Sequence, residues 1–180
     1  MEVNFQAARE IFYTFKPVIY VYPESTQEVS MKLSVAGELG FTYPEYNNGW
    51  DFIADHDGTI HIGEKEYDYL FWDSKSPVDY SSFDVQSGFI VRRDSLTDFL
   101  ETNLTTMGLT PRERQDFITF WCPLMIENES NYIHFMFNEE YNTIATLDVT
   151  PKPANIFRVF MVWSDAKDID AKKVLPQKIE

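Results

Sequence analysis

The sequence is poor in cysteine, glycine and long apolar runs, and each shortage excludes a class of structure. Its single cysteine, Cys122, excludes an internal disulfide framework and a cysteine-based zinc knuckle. Its seven glycines never cluster, so the sequence lacks the glycine-rich loops that bind phosphates or dinucleotides. No run of about 18 apolar residues occurs, and we therefore expect no insertion into a membrane.

Basic residues are also scarce, since 15 Lys and Arg accompany 29 Asp and Glu for a net charge of −14. A field of that sign repels phosphate backbones, so we expect no nucleic-acid partner. The first residues lack the basic and apolar regions of a signal peptide. The compartment is therefore unknown: cytoplasmic as the sequence stands, and extracytoplasmic for a chain from which a signal peptide had been removed.

Aromatic residues are abundant, and the hydrophobic pattern divides the chain into strands, helices and further strands. The chain has 15 Phe, 10 Tyr and 4 Trp among 180 residues, which excludes wholesale disorder. From residue 18 to about residue 90 the apolar period is two, most clearly over residues 29–35. Helical spacing follows over residues 96–107, and Thr110-Pro111-Arg112-Glu113 is a capping box that begins a second helix. Strands return at residues 132–137, 143–149 and 156–163.

This order predicts an α+β fold. We expect mainly antiparallel β-sheet, with a sandwich-like N-terminal half and two consecutive helices inserted before the C-terminal strands. The connection between the two helices is too short for a domain linker, so residues 1–180 are predicted to form a single domain. Residues 1–15 have roughly helical spacing and predict a helical lead-in, while residues 164–180 are charged and weakly periodic and predict a surface tail.

Several motifs between residues 16 and 163 resemble a family of bacterial proteins whose function is uncharacterised. They include Lys-Pro-Val-Ile-Tyr-Val-Tyr-Pro at residues 16–23 and Tyr-Leu-Phe-Trp at residues 69–72, and their joint order along the chain is specific. The resemblance implies a common fold and implies no activity. This chain departs from the family pattern at Asp73, where members usually have glutamate, and members tend to continue past a Leu-Pro such as Leu175-Pro176 into another strand.

Acids and histidines cluster around a predicted hairpin and raise the question of a metal site. The spacing Asp55-x-Asp57-Gly58-x5-Glu64 matches part of a calcium-loop template, but Ile53 stands at the first ligand position and no helical pattern flanks the loop. His56 and His61 would complete a mixed nitrogen and oxygen site with these acids. The competing interpretation is a β-hairpin whose Asp-Gly turn lies in acidic surroundings. No cofactor is otherwise expected, and calcium and zinc are the two candidates.

Rings gather in the same acidic segment, and one arginine lies in an apolar strand. Aromatic platforms beside carboxylates suit the recognition of sugars or peptides, although alternating strands must turn half of the rings inward. Arg158 shares a predicted strand face with apolar residues, so its guanidinium needs a structural partner or binds a ligand carboxylate. The candidate ligand-binding residues are Tyr46, Trp50, Tyr67, Tyr69, Trp72 and Arg158.

The sequence thus favours a non-enzymatic binding or interaction domain that uses an acidic, aromatic-rich β surface at residues 43–73. Its partner would be a protein, a peptide or a glycan. No residue is singled out as catalytic, because no nucleophile with a nearby base is recognisable and Cys122 has apolar neighbours. The alternative is a metal-dependent, hydrolase-type enzyme centred on the hairpin from Asp55 to Glu64, with Asp55, His56, Asp57, His61 and Glu64 as ligands.

Overall fold

A computed structural model describes residues 12–14, 17–76 and 87–179, and its backbone contacts divide into two compact units. Unit 1 comprises Met1–Tyr80 and Asn138–Phe157, and unit 2 comprises Ser81–Phe137 and Arg158–Glu180. The single domain expected from the sequence stays a prediction. The helical lead-in at residues 1–15 is wrong at Phe12–Thr14, which form a strand paired with Ser74–Ser76. Residues 1–11, 15 and 16 lie outside the described part of the chain.

One sheet of unit 1 has five strands, and its period-two pattern decides which face is buried. In spatial order its strands are β11 (Ala145–Thr150), β3 (Gln27–Val35), β5 (Trp50–Ala54), β6 (Ile60–Ile62) and β7 (Lys65–Tyr67), all paired antiparallel. Val29, Met31 and Leu33 are buried, while the intervening residues of β3 are exposed. This alternation confirms the strand predicted at residues 29–35, because successive side chains point to opposite faces.

The second sheet of unit 1 is built around β8 (Leu70–Ser76). The strand β4 (Glu38–Tyr43) pairs with it on one side, and β1 (Phe12–Thr14) and β2 (Val18–Ile19) pair on the other, since Phe71 is paired with both Val18 and Tyr43. Alternate residues of β8 are buried at Leu70, Trp72 and Ser74. Each sheet of unit 1 therefore buries one face, as the sandwich-like prediction requires.

Unit 2 packs two helices on a four-stranded sheet. Its strands are β9 (Ser87–Arg92), β10 (Ser130–Phe137), β12 (Val159–Asp165) and β13 (Leu175–Pro176), and its helices are α1 (Leu96–Thr106) and α2 (Pro111–Met125). Thr110 caps α2 through the predicted capping box, with the Thr110 amide donating to Glu113 Oε2 at 2.6 Å. The apolar stripes of both helices join one buried cluster with β10. The α+β class with two consecutive helices before the C-terminal strands is confirmed.

The predicted surface tail at residues 164–180 contains structure that its sequence does not reveal. The strand β12 runs to Asp165, and β13 pairs in parallel with β9. The Gln177 side chain then accepts from the Phe135 amide at 2.9 Å and donates to the Phe135 carbonyl. A two-residue strand is too short to show a hydrophobic period, so only its pairing with residues far away in the sequence defines it.

Unit 1 also contains a four-residue helix, α3 (Asn138–Tyr141).

Candidate functional site

Two of the predicted ligand-binding rings lie in the core of unit 1. Trp50 and Trp72 are each 2% exposed, because their positions on β5 and β8 fall on the buried faces of the two sheets. Trp50 also donates its indole N–H to the Pro44 carbonyl at 3.0 Å. Neither tryptophan therefore offers a ring to a partner at this surface.

Tyr46 is half-buried and connects the loop after β4 to β3. Its hydroxyl donates to the Leu33 carbonyl at 3.1 Å and accepts from the Leu33 amide at 3.0 Å. Its ring lies edge-on to Trp50 with the ring centroids 4.7 Å apart. These contacts satisfy the hydroxyl and one side of the ring within the protein, so the structure gives Tyr46 a positioning role.

Tyr69 packs against a ring outside residues 43–73, and Arg158 lies outside the strand in which it was predicted. Tyr69 is half-buried and packs edge-on against Tyr20 at a centroid distance of 5.6 Å. Arg158 is half-buried, precedes β12 and belongs to unit 2. The strand predicted at residues 156–163 is displaced to Val159–Asp165, which removes Arg158 from the apolar strand face that the sequence indicated.

A β-bulge in β4 turns two large rings toward solvent. The pairing of β4 with β8 shifts register between Leu39 and Thr42, and the Phe41 amide donates to Asp73 Oδ1 on the neighbouring strand. Gly40 permits this approach, because a Cβ at that position would overlap the same Asp73 oxygen. An extra residue in one strand changes the alternation beyond it. As a result Phe41 and Tyr43 are 59% and 57% exposed.

These rings line a groove of about 920 Å³ in unit 1, which we call the aromatic groove. Its walls come from β4 and the residues after it and from the hairpin of β6 and β7. Tyr67 of β7 lies edge-on to Tyr43, with centroids 5.4 Å apart and an interplanar angle of 75°. The groove residues used below are Phe41, Tyr43, Glu45, Glu64, Lys65 and Tyr67. Of the six predicted ligand-binding residues, Tyr67 lines this groove.

Sequence reasoning missed Phe41, which is the most exposed ring of the groove. Uninterrupted alternation would place Leu39, Phe41 and Tyr43 together on one face of the strand, and the bulge breaks that rule. A glycine inside a strand often marks a bulge, so Gly40 is the sequence feature that could have predicted the bulge in β4. Glu64, predicted as a metal ligand, is exposed and lines the groove.

The hairpin from Asp55 to Glu64 brings together two of its five candidate metal ligands. His61 lies opposite Ile53 in the register of β5 and β6, so it shares the outer face with Asp55, and His61 Nε2 lies 2.7 Å from Asp55 Oδ2. His56 Nδ1 lies 3.0 Å from the Pro23 carbonyl, and Asp57 accepts from the Thr59 amide at 2.9 Å. In the described part of the chain, no three His, Cys, Asp or Glu side chains gather closely enough to hold a metal ion. The calcium or zinc site, and the metal-dependent enzyme that depends on it, stay predictions.

The pKa of the Asp55 carboxyl depends on its contacts with Thr26 and His61, so measuring this pKa tests those contacts. A hydrogen bond from Thr26 Oγ1, 2.7 Å from Asp55 Oδ1, and then the His61 ring hold the pKa of the Asp55 carboxyl below its ordinary value. A carboxyl with a lowered folded-state pKa adds stability above its unfolded pKa, and that contribution disappears as pH falls through the folded pKa.

We therefore expect the Thr26→Val variant to raise the pKa of Asp55 toward its ordinary value, measured by NMR titration of the carboxyl carbons. Asp57 is the internal control, because hydrogen bonds from Thr59 hold its pKa down and Thr26 does not contact it. An Asp55 pKa that is unchanged in the variant would contradict the contact.

Comparison with known proteins adds no relative from which a function can be transferred. No protein-family model, no curated protein and no solved structure matches this chain. Within the described residues, no helix combines the length and the apolar character needed to cross a bilayer. The resemblance indicated by the sequence motifs stays a prediction.

Proposed function

We propose that this chain is a non-enzymatic binding or interaction domain and that the aromatic groove is its contact surface. The observation that supports the proposal is the position of Phe41 and Tyr43, which are more than half exposed at one concave site. Burying such rings against a partner removes a large apolar area from water while few side-chain torsions are frozen. The partner would be a protein, a peptide or a glycan.

The surroundings of the groove suit a binding surface with a fixed shape. The Tyr46 hydroxyl is hydrogen-bonded to Leu33 of β3, and the Asp73 carboxylate accepts a hydrogen bond from the Phe41 amide in the bulge. These contacts fix the backbone that carries the exposed rings. Rings that are already oriented lose less conformational entropy when a partner binds. Glu45 and Glu64 are exposed and supply hydrogen-bond acceptors at the same groove.

The proposal is tested by screening the labelled protein against arrayed peptides and arrayed glycans. We expect ligands whose binding weakens at least about tenfold in the Phe41→Ala and Tyr43→Ala variants, since exposed rings at the centre of an interface act as hot spots. Each ring is more than half exposed but packs against one neighbouring ring, Phe71 or Tyr67. We therefore expect each substitution to lower the free energy of unfolding by no more than about 1.5 kcal/mol.

Tyr22→Ala is the matched control for this screen, because Tyr22 is a 50% exposed tyrosine of unit 1 that does not line the groove. It should retain binding. The proposal fails if no arrayed ligand binds, or if every ligand binds the Phe41→Ala and Tyr43→Ala variants as tightly as the unchanged protein.

A further inference from the structure

The wall of the aromatic groove includes the outer edge of a sheet. Phe71 of β8 is paired with Val18 and Tyr43, and Lys75 is paired with Tyr13 and Glu38, so β8 has neighbours on both sides. β4 has β8 on one side, and among the described residues no strand pairs with its other side. β7 ends the five-stranded sheet in the same way. An edge of this kind presents backbone donors and acceptors that an incoming strand can use.

The charge around this edge is mainly negative, although Lys65 lines the groove and Lys75 of β8 is paired with Glu38. The segment from residue 38 to residue 73 contains nine acidic residues and one base, Lys65. Glu38 lies on β4, Glu66 lies on β7, and Glu45 and Glu64 line the groove, all four of them exposed. A ligand with positive charge is attracted to such a surface and an acidic ligand is repelled.

The rings add a second preference for positive charge. Phe41 and Tyr43 expose most of their side chains, and their faces attract an ammonium or guanidinium group that approaches within about 6 Å. Tyr67 stands nearly perpendicular to Tyr43, so the two rings form a corner and not a flat platform. Exposed rings, a backbone edge and carboxylates therefore lie together at β4 and the groove beside it.

We infer that the occupant of the groove is an extended, lysine- or arginine-bearing segment of a partner protein, added as a strand to the outer edge of β4. This inference rests on the proposed function and names the ligand of the same surface. Basic side chains on one face of the added strand lie over Phe41 and Tyr43 and pair with Glu45 and Glu64. The six residues of β4 set the length, which corresponds to about 20 Å of extended chain.

The experiment measures binding of three synthetic peptides of about eight residues, a length that covers β4 with a residue to spare at each end. The first alternates lysine with threonine, the second has glutamate at every lysine position, and the third is the lysine peptide with methylated backbone nitrogens. We expect the lysine peptide alone to bind, more tightly at low salt because exposed charges are then less screened.

Variants then locate the bound peptide. We expect affinity to fall at least about tenfold in Tyr43→Ala and in the double variant Glu45→Gln, Glu64→Gln. Glu127→Gln, an exposed glutamate of unit 2, is the control that should leave affinity unchanged. Equal binding of the methylated peptide would overturn strand addition, and equal binding of the glutamate peptide would overturn the charge preference.

The inference and the proposed function fail in different ways. If neutral peptides or glycans bind through Phe41 and Tyr43 and the lysine peptide does not, the inference is wrong and the binding groove stands. If no ligand of any kind depends on Phe41 or Tyr43, both are wrong.

Discussion

The Trp50→Ala variant is expected to lower the free energy of unfolding of unit 1 by about 3–5 kcal/mol. Trp50 is 2% exposed, and its removal leaves a cavity between the face of β5 and the Tyr46 ring that packs against it. The Pro44 carbonyl also loses the indole donor 3.0 Å away. Since small domains are stabilised by about 5–15 kcal/mol, this one substitution removes a large part of the total.

Hydrogen exchange measured by mass spectrometry on the intact protein checks this result segment by segment. We expect faster exchange throughout β3 and β5. Trp50→Phe is the matched control, because it keeps an aromatic ring in the core and loses the indole donor, so its cost should be smaller. A Trp50→Ala protein with unchanged exchange in β3 and β5 would show that the ring does not support the core.

The Gly40→Ala variant is expected to disturb the bulge and to lower the free energy of unfolding by about 0.5–1.5 kcal/mol, the usual net contribution of the hydrogen bond that is lost when the Asp73 side chain moves away from the Phe41 amide. The new Cβ overlaps the Asp73 carboxylate, which also accepts a hydrogen bond from the Phe41 amide. The alanine Cβ and the Asp73 carboxylate cannot both occupy this space. The carboxylate should therefore release the Phe41 amide, and the Phe41 and Tyr43 rings should no longer be held in their present positions. We expect ligand affinity at the aromatic groove to fall together with stability.

A double-mutant cycle with Asp73→Ala identifies the cause. If the cost of Gly40→Ala comes from overlap with the carboxylate, the substitution should cost much less in the Asp73→Ala background, because the obstructing atoms are gone. Denaturant titrations of the four proteins provide the measurement. Additive costs would mean that the alanine meets some other obstacle and that Asp73 does not hold the bulge.

Local sequence patterns predicted most of the fold because they depend on neighbouring residues. The alternation over residues 29–35 and the capping box from Thr110 to Glu113 each reappear in the structure as expected. The sequence did not predict the pairing of β13 with β9. This pairing consists of only two residue pairs, and the paired residues are far apart in the sequence. The short strand at Phe12–Thr14 likewise depends on its partner β8 and not on its own spacing.

The candidate site was harder to predict because the same residue types fill the core and the surface. Trp50 and Tyr43 both lie in the ring-rich segment, yet one is buried and the other is exposed. Period two alone assigns a face only where the strand is regular, and the bulge at Gly40 and Phe41 breaks it. The Asp55–His61 contact follows from hairpin register, which depends on how many residues form the turn.

In unit 1 the bulge in β4 leaves Phe41 and Tyr43 exposed to solvent, while regular alternation on β5 and β8 places Trp50 and Trp72 in the core. Hydroxyl-radical footprinting of the free protein, with oxidation quantified at each ring by mass spectrometry, tests this sorting directly. We expect rapid oxidation of Phe41 and Tyr43 and strong protection of both tryptophans, although indole is chemically the more reactive ring. Tryptophans that oxidise as fast as Tyr43, or a protected Tyr43, would contradict this arrangement.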